Sequence, residues 1–229
     1  SLRYGENLSR ILEKLSFYKG EKGSKPIILI HAVSVGEVLA SRKFVEEIQR
    51  RFTHHQILIT CTTQTGSATI KRLYGNSVFH QYMPFDLKIC ISRFIKIWQP
   101  EITFILETEI WPNLINLLNK QQRKVFLVNG RMSEKSFKRY KSILPILDNI
   151  FSKLDFTICQ GIQDKKRFIE LGIDEDRIKK DYSFKFDSIS LSNEKKEFKD
   201  NNKKKKLIIC ASTHEPEEKI LVQAFELLN

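Results

Sequence analysis

The sequence predicts an α/β fold, a Rossmann-like parallel sheet with helices on both faces, followed by the beginning of a second α/β domain. Three observations carry this. Short apolar runs alternate along the chain with segments whose apolar residues recur at helical spacing. The runs are apolar almost throughout, as strands covered on both faces are. A polar, lysine-rich stretch then breaks the pattern before one further apolar run resumes it.

In order, the strands are expected at Pro26–Val33, Gln56–Cys61, Ser77–Tyr82, Glu101–Leu106, Lys124–Val128 and Phe156–Cys159. The helices between and after them are expected at Val38–Phe52, Gly66–Tyr74, Leu87–Trp98, Pro112–Gln121, Ser133–Phe151 and Gln163–Leu171. Right-handed crossovers put the C-terminal ends of all parallel strands on one edge, where such sheets bind ligands. Residues 1–187 form this first domain, and Ser188–Lys206, with its run of four lysines, reads as a solvated linker. Within 207–229 a strand at Leu207–Ala211, a turn and a helix from Lys219 read as the first βα unit of a truncated domain.

Composition narrows the possibilities. The chain has 229 residues, 41% of them hydrophobic and 16 of them Phe, enough for a sizeable core. No run approaches the roughly 18 apolar residues of a membrane span, and the N-terminal residues lack the apolar stretch of a signal peptide. The cysteines Cys61, Cys90, Cys159 and Cys210 are widely spaced without a C-x-x-C pair, which argues for small buried hydrophobes over zinc ligands or disulfides. A formal charge of +12 attracts nucleic acid, anionic lipid or phosphorylated substrates without choosing among them. Nucleic acid is not expected, because no binding motif or aromatic stacking platform accompanies the charge.

Five segments, four of them at strand ends, carry residues with chemistry. In IHAVSVGEV, Gly36 permits a tight turn and Glu37 stands at a helix start, where the helix dipole favours an ionised carboxylate able to take a proton from a hydroxyl. The local pattern by itself is first that of a helix start capped by Ser34. In TTQTGSATI, Thr65 and Gly66 offer hydroxyl and helix N–H groups to a sugar or phosphate, although capping accounts for the hydroxyls equally well. In LETEIWPN, Glu107 and Glu109 continue a strand and share one of its faces, beside Trp111 and a Pro112 suited to a first helical turn. Arg131 follows Gly130 at the next strand end as a candidate phosphate or carboxylate ligand. In YSFKFD, alternation sends Phe184 and Phe186 to one side and Lys185 to the other, where it could face an anionic group.

Together with MPFD (83–86), NGRMSEKS (129–136), FKFD (184–187) and ASTHEPEE (211–218), the motifs HAVSVGE (31–37), TCTTQTG (60–66) and ETEIWPN (107–113) resemble the 3-deoxy-D-manno-octulosonic acid (Kdo) transferases. The matches run in family order over nearly the whole chain. The resemblance implies the N-terminal, acceptor-binding half of a GT-B glycosyltransferase of lipopolysaccharide assembly. It makes Glu37 the general base and gives Glu107 and Lys185 roles in transition-state stabilisation. CMP-Kdo is the implied donor and the lipid A precursor the acceptor. The implied reaction inverts configuration, needs no metal or cofactor, and takes place at the cytoplasmic face of the bacterial inner membrane. The family's hydrophobic anchor is not found in these residues, and its donor-binding residues belong to the domain the chain barely enters, so the 229 residues alone are expected to be inactive. Two departures stand out: Tyr182, Ser183 and Phe184 replace the usual Gly-Asn-Leu, and Pro216 replaces a usual glycine.

Overall fold

In the computed structural model, which describes residues 8–18, 23–181, 183–184 and 215–227, the apolar run IILIH becomes a fully buried central strand. A short helix α1 (Leu8–Lys14) precedes this strand, β1 (Ile27–His31). Next come α2 (Val35–Ala40), α3 (Arg42–Arg51), β2 (Gln56–Cys61), α4 (Gln64–Tyr74), β3 (Phe79–Tyr82) and α5 (Lys88–Trp98). The chain continues through β4 (Pro100–Leu106), α6 (Pro112–Lys120), β5 (Lys124–Gly130), α7 (Glu134–Ile143), β6 (Phe156–Cys159), α8 (Ile162–Glu170) and β7 (Ile178–Lys180).

The seven strands form one sheet in the order β3-β2-β1-β4-β5-β6-β7, and every neighbouring pair is parallel. Alternation along β1 divides the core in two. Ile28 and Ile30 pack with Val38, Val45, Ile48 and Ile70 of α2, α3 and α4. Ile27 and Leu29 pack with Phe94 and Trp98 of α5, Leu114 and Leu118 of α6, and Phe168 of α8. The chain order reverses between β1 and β4, so the crevice at their C-terminal ends is the switch point where doubly wound sheets take ligands.

Three elements differ from the sequence expectation. The helix expected at 38–52 is two helices, because the Ser41 hydroxyl bonds back to the Val38 carbonyl at 3.2 Å and α2 ends there. The helix expected at 133–151 stops at Ile143. Pro145 cannot donate to the preceding turn, and the chain continues as two 3₁₀ turns, 144–146 and 150–153, separated by left-handed Asp148 and Asn149. Strand β7 was not anticipated: it has three residues, of which Ile178 alone is buried, too few for a pattern.

Clustering of contacts divides the chain into two compact units, 1–190 and 191–229. Of the second, the described part is Glu215–Pro216 and helix α9 (Glu217–Leu227), which exposes Ile220, Leu221, Val222 and Phe225. The linker at 188–206 and the strand at Leu207–Ala211 lie outside the described residues. Among the described residues no helix is long and apolar enough to cross a membrane.

Candidate active site

Ser34 ends the strand-to-helix turn after β1 as the N-cap of α2, with Glu37 three residues on. The two close a reciprocal box: the Ser34 hydroxyl accepts from the Glu37 N–H at 3.4 Å and donates to Glu37 Oε1 at 3.1 Å. The other carboxylate oxygen accepts the Val33 N–H at 2.8 Å. The carboxylate is thereby held at the rim of the crevice with its direction fixed. Gly36 lies inside α2 without a left-handed backbone, and a Cβ there would sit 3.8 Å from Ser34 Oγ, an ordinary contact. The expectation that glycine makes the turn is therefore corrected. What Gly36 provides is an exposed position in the first turn of α2 that carries no side chain.

The charge state of Glu37 is a second correction. Burial pushes its pKa up to about 7, the charges of Glu107 and Glu109 add to the rise, and the bonds from Val33 and Ser34 oppose it. A six-residue helix supplies too little dipole at its start to outweigh a desolvated carboxyl facing two other carboxylates. A carboxyl poised near 7 is a better base for neutral pH than one held firmly ionised.

Glu107 and Glu109 come to Glu37 from across the switch point, but not on one face of a strand. Strand β4 ends at Leu106, and Glu107 turns into the left-handed region at φ 56°, its N–H on the Val128 carbonyl at 3.0 Å. A non-glycine residue held there costs about 1–2 kcal/mol, and such strain gathers at functional sites. Burial raises the Glu109 pKa, Glu107 raises it further, and Trp111 and Arg139 pull the other way. The Trp111 indole N–H lies near that carboxylate without forming a well-aligned hydrogen bond. Its ring stands edge-on to His31 at 5.2 Å and 89°.

His31, at the end of β1, is fully buried, with Nδ1 on Thr60 Oγ1 at 2.9 Å and Nε2 without a hydrogen-bond partner. Burial lowers its pKa to about 4, so the imidazole is neutral at pH 7. His31 heads the HAVSVGE motif, and nothing in the local sequence pattern marks it for chemistry. Arg139, exposed on α7, lowers the Glu109 pKa through its charge.

The remaining candidates are placed less centrally. Thr63, not Thr65, caps α4, accepting the Gly66 N–H at 3.1 Å. Gly66 is buried where a Cβ would meet Thr63 Oγ1 at 2.8 Å, and the Thr65 side chain is exposed. This second turn is tied to the first through Thr62, whose hydroxyl donates to the Val33 carbonyl at 3.2 Å. Arg131 is exposed just beyond β5. Lys185 lies outside the described residues. The residue before it, Phe184, stacks on Phe44 at 5.3 Å and donates its N–H to Asn129 Oδ1 at 3.1 Å. Cys61, Cys90 and Cys159 are buried and unbridged, and burial pushes the Cys61 thiol up to about 12.

A doubly wound sheet with carboxylates gathered at its switch point defines the class: a Rossmann-like domain of the GT-B type. UDP-GlcNAc 2-epimerase from Neisseria meningitidis, solved with UDP-GlcNAc, shares this fold with a TM-score of 0.53 at 13% identity, over 87% of this chain and 54% of that one. The family model for 3-deoxy-D-manno-octulosonic acid transferase matches residues 9–188. The curated 3-deoxy-D-manno-octulosonic acid transferase of Haemophilus influenzae is 33% identical over 225 residues, covering 96% of this chain and 52% of that protein. The enzyme of that name from Rickettsia bellii is 30% identical over 218 residues, 95% of this chain and 52% of its own length. The chain belongs to the Kdo transferase family, and it spans about half the length of these relatives.

Proposed function

We propose that this chain supplies the acceptor side of an inverting glycosyltransferase that moves Kdo from CMP-Kdo to a sugar hydroxyl of the lipid A precursor in lipopolysaccharide assembly. The observation that carries the proposal is Glu37: a carboxyl fixed at the switch point and pushed up to about 7. Glu37 takes the proton of the acceptor hydroxyl as its oxygen forms the new bond to the anomeric carbon. The bond from that carbon to the CMP phosphate breaks, and CMP leaves with the electron pair. Glu107 stabilises the positive charge that develops on the sugar, as carboxylates do beside oxocarbenium-like centres. Lys185 is assigned to the negative charge of the donor. Ser34, Gly36, Thr65, Trp111 and Arg131 are the proposed substrate contacts, whereas Gly66 is buried under its own cap and serves the turn. The sheet domain, to residue 187, holds the acceptor. The unit from residue 207 begins the donor-binding side.

The acceptor carries phosphates and acyl chains, and the proposed setting is the anionic cytoplasmic face of the inner membrane. One surface supports this. Phe17, Phe85, Leu87 and Ile89 are all exposed, and they neighbour the cations Lys14, Lys88 and Arg93. Arg93 lies over the Phe17 ring at 4.8 Å and Lys14 over the Phe85 ring at 5.9 Å. Aromatic and aliphatic groups among cations suit the headgroup layer of an anionic bilayer.

The test is transfer from CMP-Kdo by these residues joined to the C-terminal half of the Haemophilus influenzae relative, with and without Glu37→Gln. Gln keeps one acceptor for Val33 and a partner for Ser34, so the fold is retained. Loss of a general base lowers the rate about 10²–10⁴-fold. A near-normal rate in the variant removes Glu37 from that role.

A further inference from the structure

Helix α6 starts in a way that its own residues cannot complete. Trp111 is its N-cap, with no side-chain cap bond, and an indole has no acceptor to offer. Pro112 follows and has no N–H. The next two backbone donors, of Asn113 and Leu114, therefore need an acceptor from elsewhere in the chain. Asp86, in the loop after β3, provides both. Its Oδ2 accepts from Asn113 N at 3.0 Å and its Oδ1 from Leu114 N at 3.1 Å. Asn113 returns the bond, donating from Nδ2 to the Asp86 carbonyl at 2.6 Å.

What hangs on this clamp is the acidic turn. Trp111 immediately precedes α6 and wedges edge-on against His31 at the end of β1, and Glu107 and Glu109 lie just upstream. Asp86 is itself half-buried, and burial raises its pKa although the Asn113 and Leu114 bonds lower it. What the clamp provides is position. We infer that Asp86 is a positioning residue: by capping α6 from another loop, it holds the Glu107–Trp111 turn at its working place against Glu37. The inference rests on the reading of Glu37 as the base, but its test does not require turnover.

The experiment is carboxyl NMR titration of Glu37 in the 229-residue chain, comparing wild type, Asp86→Asn and Asp155→Asn. Asp155 is the control, a carboxylate that binds the Val125 N–H at 2.8 Å and Lys124 Nζ at 2.7 Å at the start of β5, away from the crevice. Both variants lower the melting temperature. Only Asp86→Asn lets the acidic turn move and water enter, so the Glu37 midpoint falls from about 7 toward the ordinary carboxylate range, by about half a unit or more. Asp86→Glu, which keeps both acceptor oxygens, restores part of the shift. A folded Asp86→Asn protein with the wild-type Glu37 midpoint overturns the inference, as does an equal shift in Asp155→Asn. Should Asp86→Asn not fold, Asp86→Glu is titrated alone: it displaces the two acceptor oxygens from Asn113 N and Leu114 N by one methylene, and an unmoved Glu37 midpoint there overturns the inference equally. Failure of the base reading shows separately, as undiminished transfer by Glu37→Gln.

Discussion

The turns after β1 and β2 are built almost alike, yet only one of them presents a carboxyl to the crevice. In each, a hydroxyl residue caps the helix by accepting the N–H three positions on: Ser34 from Glu37 at 3.4 Å, Thr63 from Gly66 at 3.1 Å. The difference is what stands at that third position and what faces it. After β2 it is a buried glycine packed under its own cap. After β1 it is a carboxyl opposite Glu107 and Glu109, across the point where the sheet reverses order. Capping chemistry is thus shared scaffolding, and the neighbour across the crevice converts one copy of it into a candidate site.

The sharpest way to break this comparison is to set Glu37→Gln beside Gly66→Ala. The first is expected to lower transfer about 10²–10⁴-fold with the fold kept. The second places a Cβ 2.8 Å from Thr63 Oγ1, so it costs stability, about 1–2 kcal/mol in a denaturant melt. Comparable losses of transfer at equal folded fraction would erase the distinction between the turns.

Paired cap deletions come next. Ser34→Ala and Thr63→Ala should each cost about 1 kcal/mol of stability. Ser34→Ala should also raise the Glu37 midpoint above 7, because the hydroxyl bond that favours its ionised form is gone. Thr63→Ala should leave that midpoint alone, and a shift there would couple the turns more tightly than their geometry implies.

Glu37→Gln should meanwhile stabilise the protein in alkali. The folded pKa of about 7 lies above the ordinary 4.5, so the folded state binds the proton more tightly than the unfolded one. Stability from this group is present below about 4.5 and is lost as pH rises through 7. At pH 8 the variant should be more stable than wild type by about 1 kcal/mol, after discounting for partial exposure. At pH 5 the gap should nearly close. A gap independent of pH in thermal melts would contradict the raised pKa. The smallest expected effect is that of Glu107→Gln, which keeps the left-handed turn but removes one repelling charge. The Glu37 midpoint should fall by less than about one unit, since burial, not Glu107, is the larger cause.

Much of this site was legible in the sequence. The S-x-x-E pattern at 34–37 located the box after β1, and the apolar run before it located the strand. The TTQTG segment gave the second cap, displaced from Thr65 to Thr63 because either hydroxyl suits a helix start locally. The clamp from Asp86 is legible only in part: Trp followed by Pro at a helix start signals a missing acceptor, but not which distant carboxylate supplies it. The local sequence points to an ionised Glu37 because a helix dipole is visible there, while desolvation and the facing carboxylates that raise its pKa are not.

Periodicity and turn chemistry act within a few residues, so the sequence by itself determined the parallel α/β alternation, the core strands and the glutamates at the ends of β1 and β4. Topology acts between residues 70 apart, and it alone decided that Glu37 and Glu107 share one crevice. Two further features came only from the tertiary structure: the left-handed turn that places Glu107, and the burial that lifts Glu37 to about 7. Both depend on which strands become neighbours in the sheet, and no local pattern encodes that order.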